Sequence, residues 1–293
     1  MTATASSPKL RVDTRGTNEL PPHLDENLLT PRFYVTEFKK AAKTELTDAR
    51  EEFEAMLSEM KADYNCTHFD RKASLDRLQE LPQKAKETYE SYLVRSVISE
   101  FSGFLLFKEI SNRLKKEGNR DLGKLFQFLA RDEARHAGFL SRALVAEGIE
   151  VDLPHLGGKR AATWFPISWV IYSVYLSEKI GYWRYILMDR HLKANPDQAF
   201  APLFDFFEPW CQDENRHGDC FTVMMRCWPG ITKGFRGKLL SRFFLWSVFL
   251  THTLTVCERG EFYELLGIDP KEFDEEVIKR TNHTSKNAFP WVF

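Results

Sequence analysis

The 293-residue chain has no Cys-x-x-Cys pair and no Gly-x-Gly. It also lacks an unbroken apolar run of roughly 18 residues, the minimum for crossing a bilayer as a helix. Its five cysteines (66, 211, 220, 227 and 257) are odd in number and scattered. That argues against a disulfide framework, a zinc knuckle or a rubredoxin-type site, and fits a reducing compartment. Without Gly-x-Gly there is no nucleotide-binding fingerprint, so no bound nucleotide or flavin is expected. Charge is balanced, 41 basic against 42 acidic side chains for a net −1, so no nucleic-acid partner is expected. The N-terminal stretch "MTATASSPKLRVDTRGTNELPP" lacks the apolar centre of a secretory leader. The most apolar segments, 164–176 and 243–256, are read either as buried core helices or as an aromatic surface that dips into a membrane interface.

Strand-like alternation is scarce, and helical periodicity fills the space. Residues 1–35 read as a disordered arm, 36–265 as one helical domain and 266–293 as a tail of mixed character. Within the domain, 47–65 predicts a helix opened by Thr47 or Asp48, and the stretch from 76 predicts one closed by Gly118-Asn119. The next stops near Gly148, and "LPHLGGKR" is a connector. Further helices are predicted over about 166–193, 202–227 and 232–264.

An internal repeat organises these helices, over 91–150 and 166–228. "SEFSGF" (99–104) precedes "DEARHAG"; "SEKIGY" (177–182) precedes "DENRHGD". Two matched helix hairpins follow, and hence an all-α, ferritin-like four-helix bundle with additional N- and C-terminal helices. Steps of three and four put Glu100, Glu133, His136, Glu178, Glu214 and His217 on the apolar stripes of their helices. The midpoints of Glu100/Glu133 and Glu178/Glu214 fall at Lys116–Glu117 and Pro196, at or beside turn signals, so all six belong at one level of the bundle. Glu109 competes with Glu100 but lies off the stripe and outside the repeat.

Four bare carboxylates in a core cost several kcal/mol each or more, so cations must offset them. Two divalent ions match four carboxylates, and neutral imidazoles complete the coordination. Hard oxygen plus imidazole favours iron or manganese. One Glu from each of two helices, with Glu-x-x-His from each of the other two, is the di-metal carboxylate pattern. A metalloprotease-type zinc is disfavoured, since neither motif has the leading His. Asp132 and Asp213 sit four residues before the histidines and are expected to orient an imidazole, with Arg135 and Arg216 in support; the alternative is a solvated charge pair. Gly103 and Gly181, one turn after two of the glutamates, leave room either for oxygen or substrate or for close helix packing.

The segments "SEFSGFLLFKEI", "RDEARHAGFL", "YLSEKIGYWRYILMDRHLKANP" and "WCQDENRHGD" closely resemble the aerobic magnesium-protoporphyrin IX monomethyl ester cyclase family of (bacterio)chlorophyll biosynthesis. "LLTPRFYVTEF" and "DYNCTHFDR" resemble its earlier segments, so the likeness covers roughly 26–290. Family members commonly run further, whereas this chain stops at "NAFPWVF". The resemblance implies a di-iron (Fe2+/Fe3+) oxygenase closing the fifth ring of the tetrapyrrole. Mg-protoporphyrin IX monomethyl ester would be oxidised by six electrons, with O₂, to divinyl protochlorophyllide. Its iron ligands map onto Glu100, Glu133, His136, Glu178, Glu214 and His217, the six that the stripes select. It also implies a ferredoxin or an NADPH-fed reductase as electron donor.

An auxiliary subunit and peripheral contact with the cytoplasmic side of a photosynthetic membrane are further expectations. No substrate pocket can be placed from the sequence. Phe104, Tyr182, Trp183 and Trp210 lie near the metal level and face either a macrocycle or the core. Arg184 and Lys193 are candidates for the substrate's remaining propionate, and His252 for its magnesium or for an ordinary core position. A ferritin-like peroxidase or radical-generating subunit would use the same ligands, and a metal-stabilised scaffold or iron store is the non-enzymatic alternative.

Overall fold

A computed structural model describes residues 10–12, 32–43, 49–69, 75, 81–153, 162–290 and 292. Most of the expected arm and connector lies outside them, as do Thr47 and Asp48. Four short strands occur: β1 (Leu10–Val12), β2 (Arg32–Thr36), β3 (Ile149–Val151) and β4 (Ala162–Pro166). β1 pairs with β3 and β2 with β4, both parallel, with Leu10 opposite Ile149 and Val35 opposite Phe165. They were not expected, because three to five residues give too short an alternation to stand out against helical periodicity.

α1 (Phe38–Ala42) and α2 (Arg50–Ala62) precede two long hairpins. The first is α3 (Gln83–Lys116) with α4 (Arg120–Ala146); the second is α5 (Ile167–Ala194) with α6 (Phe207–Cys227). Gly118 and Asn119 each do a different job at the first turn. Gly118 takes φ +98°, which a Cβ disfavours, and Asn119 Oδ1 accepts from the Leu122 amide at 3.1 Å to cap α4. α5 starts after Pro166 and stops at Asn195-Pro196. The helix expected from 202 begins at Phe207, after a 3-10 turn over Pro202–Phe206. Pro209 accounts for this: in the first turn its missing N–H costs nothing, whereas deeper inside a helix it would break a bond.

After α7 (Pro229–Thr232), the helix expected over 232–264 is two: α8 (Gly234–Glu258) and α9 (Gly260–Leu265). The tail also folds, as α10 (Pro270–Ser285). Asp269 Oδ1 accepts from the Glu272 amide at 2.8 Å and Pro270 occupies the first turn, a start signal that the sequence reading passed over. α10 packs on the second hairpin, where the Trp183 indole donates to Thr284 Oγ1 at 3.0 Å.

Two apolar clusters fill the bundle. One contains Leu93, Val97, Phe139, Leu140, Met188 and Trp210; the other contains Phe107, Ile110, Phe126, Ile171, Tyr175 and Phe221. Along each long helix the acidic and imidazole residues fall between the two clusters, so hydrocarbon closes the polar layer from both ends.

Candidate metal centre

The structure brings the six side chains together as two adjacent groups. Glu100, His136 and Glu214 form one, and Glu133, Glu178 and His217 the other, with ligand atoms in each group within 4.8 Å of one another. Each group draws on both hairpins. Four of the six side chains are at most 6% exposed, and Glu178 is nearly as buried, so the layer is a core feature and not a surface acidic patch. Glu109, the competing residue, is exposed and belongs to neither group.

The imidazoles present matched faces. His136 Nδ1 lies 3.2 Å from Glu100 Oε2, and His217 Nδ1 lies 3.3 Å from both Glu133 Oε1 and Glu178 Oε2. On the far side, His136 Nε2 is 3.1 Å from Asp213 Oδ2, and His217 Nε2 is 3.5 Å from Asp132 Oδ2. The Asp carboxylates favour the proton on Nε2, which leaves the Nδ1 lone pairs aimed at the carboxylate layer. The orienting contacts run between hairpins: Asp213 of the second holds His136 of the first, and Asp132 of the first faces His217 of the second. Arg216 Nη2 donates to Asp132 Oδ2 at 2.8 Å, and Arg135 reaches Asp132 at 3.2 Å while forking onto Asp63 at 2.6 Å.

The backing of this layer was missed by sequence reasoning. A turn over Tyr64–Thr67 follows α2 and lies against Asp213. Asn65 donates to Asp213 Oδ1 at 2.8 Å, His68 Nδ1 stands 3.3 Å from the same oxygen, and Arg131 Nε donates to Asp132 at 2.9 Å. The Tyr64 ring covers the Arg216 guanidinium at 4.5 Å. The polar run "DYNCTH" was the available signal; loop residues without periodicity do not reveal which partner they meet.

Gly103 and Gly181 line the cavity over the layer, as room for substrate requires, and have a further reason not expected. A Cβ at Gly103 would sit 2.7 Å from Glu133 Oε2, and one at Gly181 would sit 3.0 Å from Glu214 Oε2. Each glycine makes way for the glutamate of the facing helix. Trp210 extends this positioning, donating from its indole to Glu214 Oε1 at 2.9 Å.

The side chains of the layer by themselves carry more negative charge than the interior accommodates. Burial, reinforced by the neighbouring Glu100 charge, raises Glu133 to about 8. Burial and Glu178 lift Glu214 well above the carboxylate range. For Glu178, burial is outweighed by the hydrogen bond and charge of His217, and its pKa falls. Burial works against His136, but hydrogen bonds to Asp213 and Glu100 prevail and raise it to about 10. In Asp132 and Asp213, burial is overcome by His217 and by His136 respectively, which hold both well below the usual range. Cations in place of these protons would relieve the carboxylate repulsion, and the oxygen–imidazole donor set suits a hard divalent metal.

A cavity of about 490 Å³ opens on the layer between α3, α5 and α8. Glu100, Glu133, Glu178 and Glu214 form its floor, and it reaches the surface at the exposed Leu105 and Glu109. Phe104, Tyr182, Trp183 and Trp210 do not line it. Trp210 is core, 1% exposed, and Tyr182 packs on Trp183 with ring centres 4.7 Å apart. Lys193 is also elsewhere, on the surface with Asp189 and Glu208. Arg184 and His252 do line the cavity, His252 Nε2 being 3.4 Å from Asp274 Oδ1.

The rubrerythrin family model matches residues 91–225, the span of both hairpins. A magnesium-protoporphyrin IX monomethyl ester oxidative cyclase from one strain of Prochlorococcus marinus is 80% identical over 278 residues, covering 95% of this chain and 80% of the relative. The protein of the same description from a second strain, MIT 9211, is 76% identical over 293 residues, covering 100% of this chain and 84% of the relative. One from Thermosynechococcus vestitus is 54% identical over 268 residues, covering 91% and 75%. No solved structure gives a significant match. On identity at this level across nearly the whole chain, with a matching di-metal carboxylate layer, the chain belongs to the magnesium-protoporphyrin IX monomethyl ester oxidative cyclase family.

Proposed function

We propose that this enzyme closes the isocyclic fifth ring, converting Mg-protoporphyrin IX monomethyl ester, O₂ and reductant to 3,8-divinyl protochlorophyllide. The observation that carries this reading is the pairing of a buried six-donor layer with a cavity that opens directly onto its carboxylates. The donor set and the family support two iron ions, held by Glu100, Glu133, His136, Glu178, Glu214 and His217. Bound ferrous iron supplies the reduction of O₂ and the oxidising power for unactivated C–H bonds. The protein's own part is to fix both imidazoles through Asp132 and Asp213, to fix Glu214 through Trp210, and to close the two ends of the layer with apolar clusters, leaving the cavity as the way in. An iron store requires no organic-sized cavity, and the cavity favours the oxygenase over that alternative.

Electrons are proposed to come from a ferredoxin or an NADPH-fed reductase, since the sequence carries no Gly-x-Gly fingerprint. Attachment is proposed to be peripheral, through α8. Phe235, Leu239, Phe243, Trp246, Leu250 and Leu254 form an exposed stripe there, led by Phe235 at 81%, while Phe244, Leu245, His252 and Val256 bury the other face. α8 is long and apolar enough to cross a bilayer by composition, but its buried face fits a helix lying on the surface better. Lys233, Arg236, Lys238 and Arg242 flank the stripe with no acidic residue before Glu258, which suits an anionic lipid face. Cosedimentation with anionic vesicles that persists in Phe235→Glu/Trp246→Glu protein would contradict this attachment.

The test of activity is direct. Iron-loaded protein with the ester, a reductant and air should develop protochlorophyllide absorption; without O₂ it should not. Glu214→Ala or His217→Ala should abolish the change. Ring closure under argon, or undiminished turnover in either variant, would overturn the proposal.

A further inference from the structure

We infer that Arg184 and Arg259 together form the anchor for the free carboxylate of the cavity's ligand. The inference rests on the cyclase reading for the identity of that ligand, and on the structure for the anchor.

Arg184 lies on α5 and Arg259 at the junction of α8 and α9, and both line the cavity whose floor is the carboxylate layer. The Nε of each is shut off from solvent without a hydrogen-bond partner. Among the described residues neither guanidinium has an ion-pair partner; their neighbours are ring faces, Tyr185 at 5.7 Å from Arg184 and Tyr92 at 6.0 Å from Arg259. An unpartnered Nε also occurs in Arg95 and Arg216, but other arginines have an acid: Arg216 meets Asp132 at 2.8 Å, Arg135 meets Asp63 at 2.6 Å and Arg95 meets Glu258 at 3.3 Å. Two guanidiniums of one sign that line a cavity without an acidic partner call for an anion from outside.

The two arginines differ: burial and then the adjacent Arg184 charge lower the Arg259 pKa, whereas at Arg184 burial is outweighed by Tyr263, Tyr185, Tyr92 and Glu214 and the pKa rises. His252 in the same wall is pushed down to about 3, by burial first and then by these two arginines, so it contributes no charge. A carboxylate between the guanidiniums would cancel this repulsion.

The geometry fits the monoester. A protoporphyrin carries two propionate arms on adjacent pyrroles of one edge, and in the monoester one is esterified and the other is free. Arg184 lies six residues beyond Glu178, about 9 Å along α5. Anchoring the free arm there would turn the esterified arm toward the metal layer, so these residues would select the monoester and fix which arm is oxidised.

The test compares Mg-protoporphyrin IX monomethyl ester with the dimethyl ester, by absorbance titration of the metal-loaded full chain. Wild type should prefer the monoester by about tenfold or more, the scale of a charge-assisted contact. Arg184→Gln and Arg259→Gln should each erase most of that preference by weakening monoester binding alone, with metal content unchanged. Equal affinity of wild type for the two esters, which requires no variant, would overturn the anchor; so would variants that weaken both esters alike. Wild type that prefers the monoester yet makes no product would sink the cyclase reading and leave the anchor standing. Wild type that binds neither ester would sink both.

Discussion

Asp213, on the second hairpin, holds His136, on the first, through a 3.1 Å contact to Nε2. Asp132 faces His217 in the reverse sense. The two halves of the repeat therefore orient each other's imidazoles, and neither hairpin is complete alone. Asp213→Ala should weaken metal binding by about 10–100-fold, the usual cost of removing a carboxylate behind a metal-bound imidazole. Asp132→Ala should do this and also break the 2.8 Å pair of the buried Arg216, leaving it only the 3.5 Å contact to Asp213, so it should lose more stability than Asp213→Ala. Metal titrations and denaturant melts separate the two effects. Equal melts for both variants would contradict the Arg216 assignment.

Space beside the glutamates gives a second prediction. Gly103→Ala places a methyl 2.7 Å from Glu133 Oε2, and Gly181→Ala places one 3.0 Å from Glu214 Oε2. Both should lower metal affinity, Gly103→Ala the more. Alanine is worth about 1 kcal/mol over glycine in a helix, so the chelated variants, whose glutamates can swing aside, should lose little stability or gain some. Unchanged metal affinity in Gly103→Ala would show that the glutamate is not held where the structure puts it.

Acidity gives the third. Glu133 is raised to about 8, by burial first, and His136 to about 10, by its hydrogen bonds to Asp213 and Glu100 against the effect of burial. A raised pKa means that the folded state holds its proton more tightly. Glu133's contribution is therefore complete below about pH 4.5 and lost as pH rises toward about 8; His136's is lost between about pH 6.5 and 10. Asp213, whose pKa is depressed, acts in the opposite sense: its contribution is present above about pH 4 and lost as pH falls. Chelated protein should thus melt at falling temperatures from about pH 5.5 to 9, while metal-loaded protein should change less, because cations replace the protons. A gap between the two that stays constant over this range would contradict the shared-proton account.

Glu109 and Glu100 provide a control within one helix. Glu100→Ala should lower metal content, whereas Glu109→Ala, at an exposed position, should leave it unchanged. Loss of metal from both would mean that the layer has been placed wrongly.

Much of this was legible in the sequence because one physical conflict is written there twice. Glu133 and His136, and Glu214 and His217, stand on otherwise apolar stripes, and only a charge-neutralising site reconciles that with a core. The hairpin turns were legible for a related reason, since Gly118-Asn119 and Asn195-Pro196 carry their own backbone chemistry. Other features depend on tertiary partners and leave no periodic trace. Asn65 and His68 sit on a turn whose partner, Asp213, is far along the chain. Arg259 gives no hint in sequence that it lacks an acid while Arg95 has one. The strand pairs fail for want of length, and α10 could have been read from Asp269-Pro270.

The most direct measurement is the metal stoichiometry and Mössbauer spectrum of chain reconstituted with iron-57 under argon and then exposed to air, alongside Glu100→Ala and Glu178→Ala. The account predicts two irons per chain, magnetically coupled after oxidation, with coupling lost in each variant. A single iron, two uncoupled irons, or coupled irons that survive removal of either glutamate would contradict it.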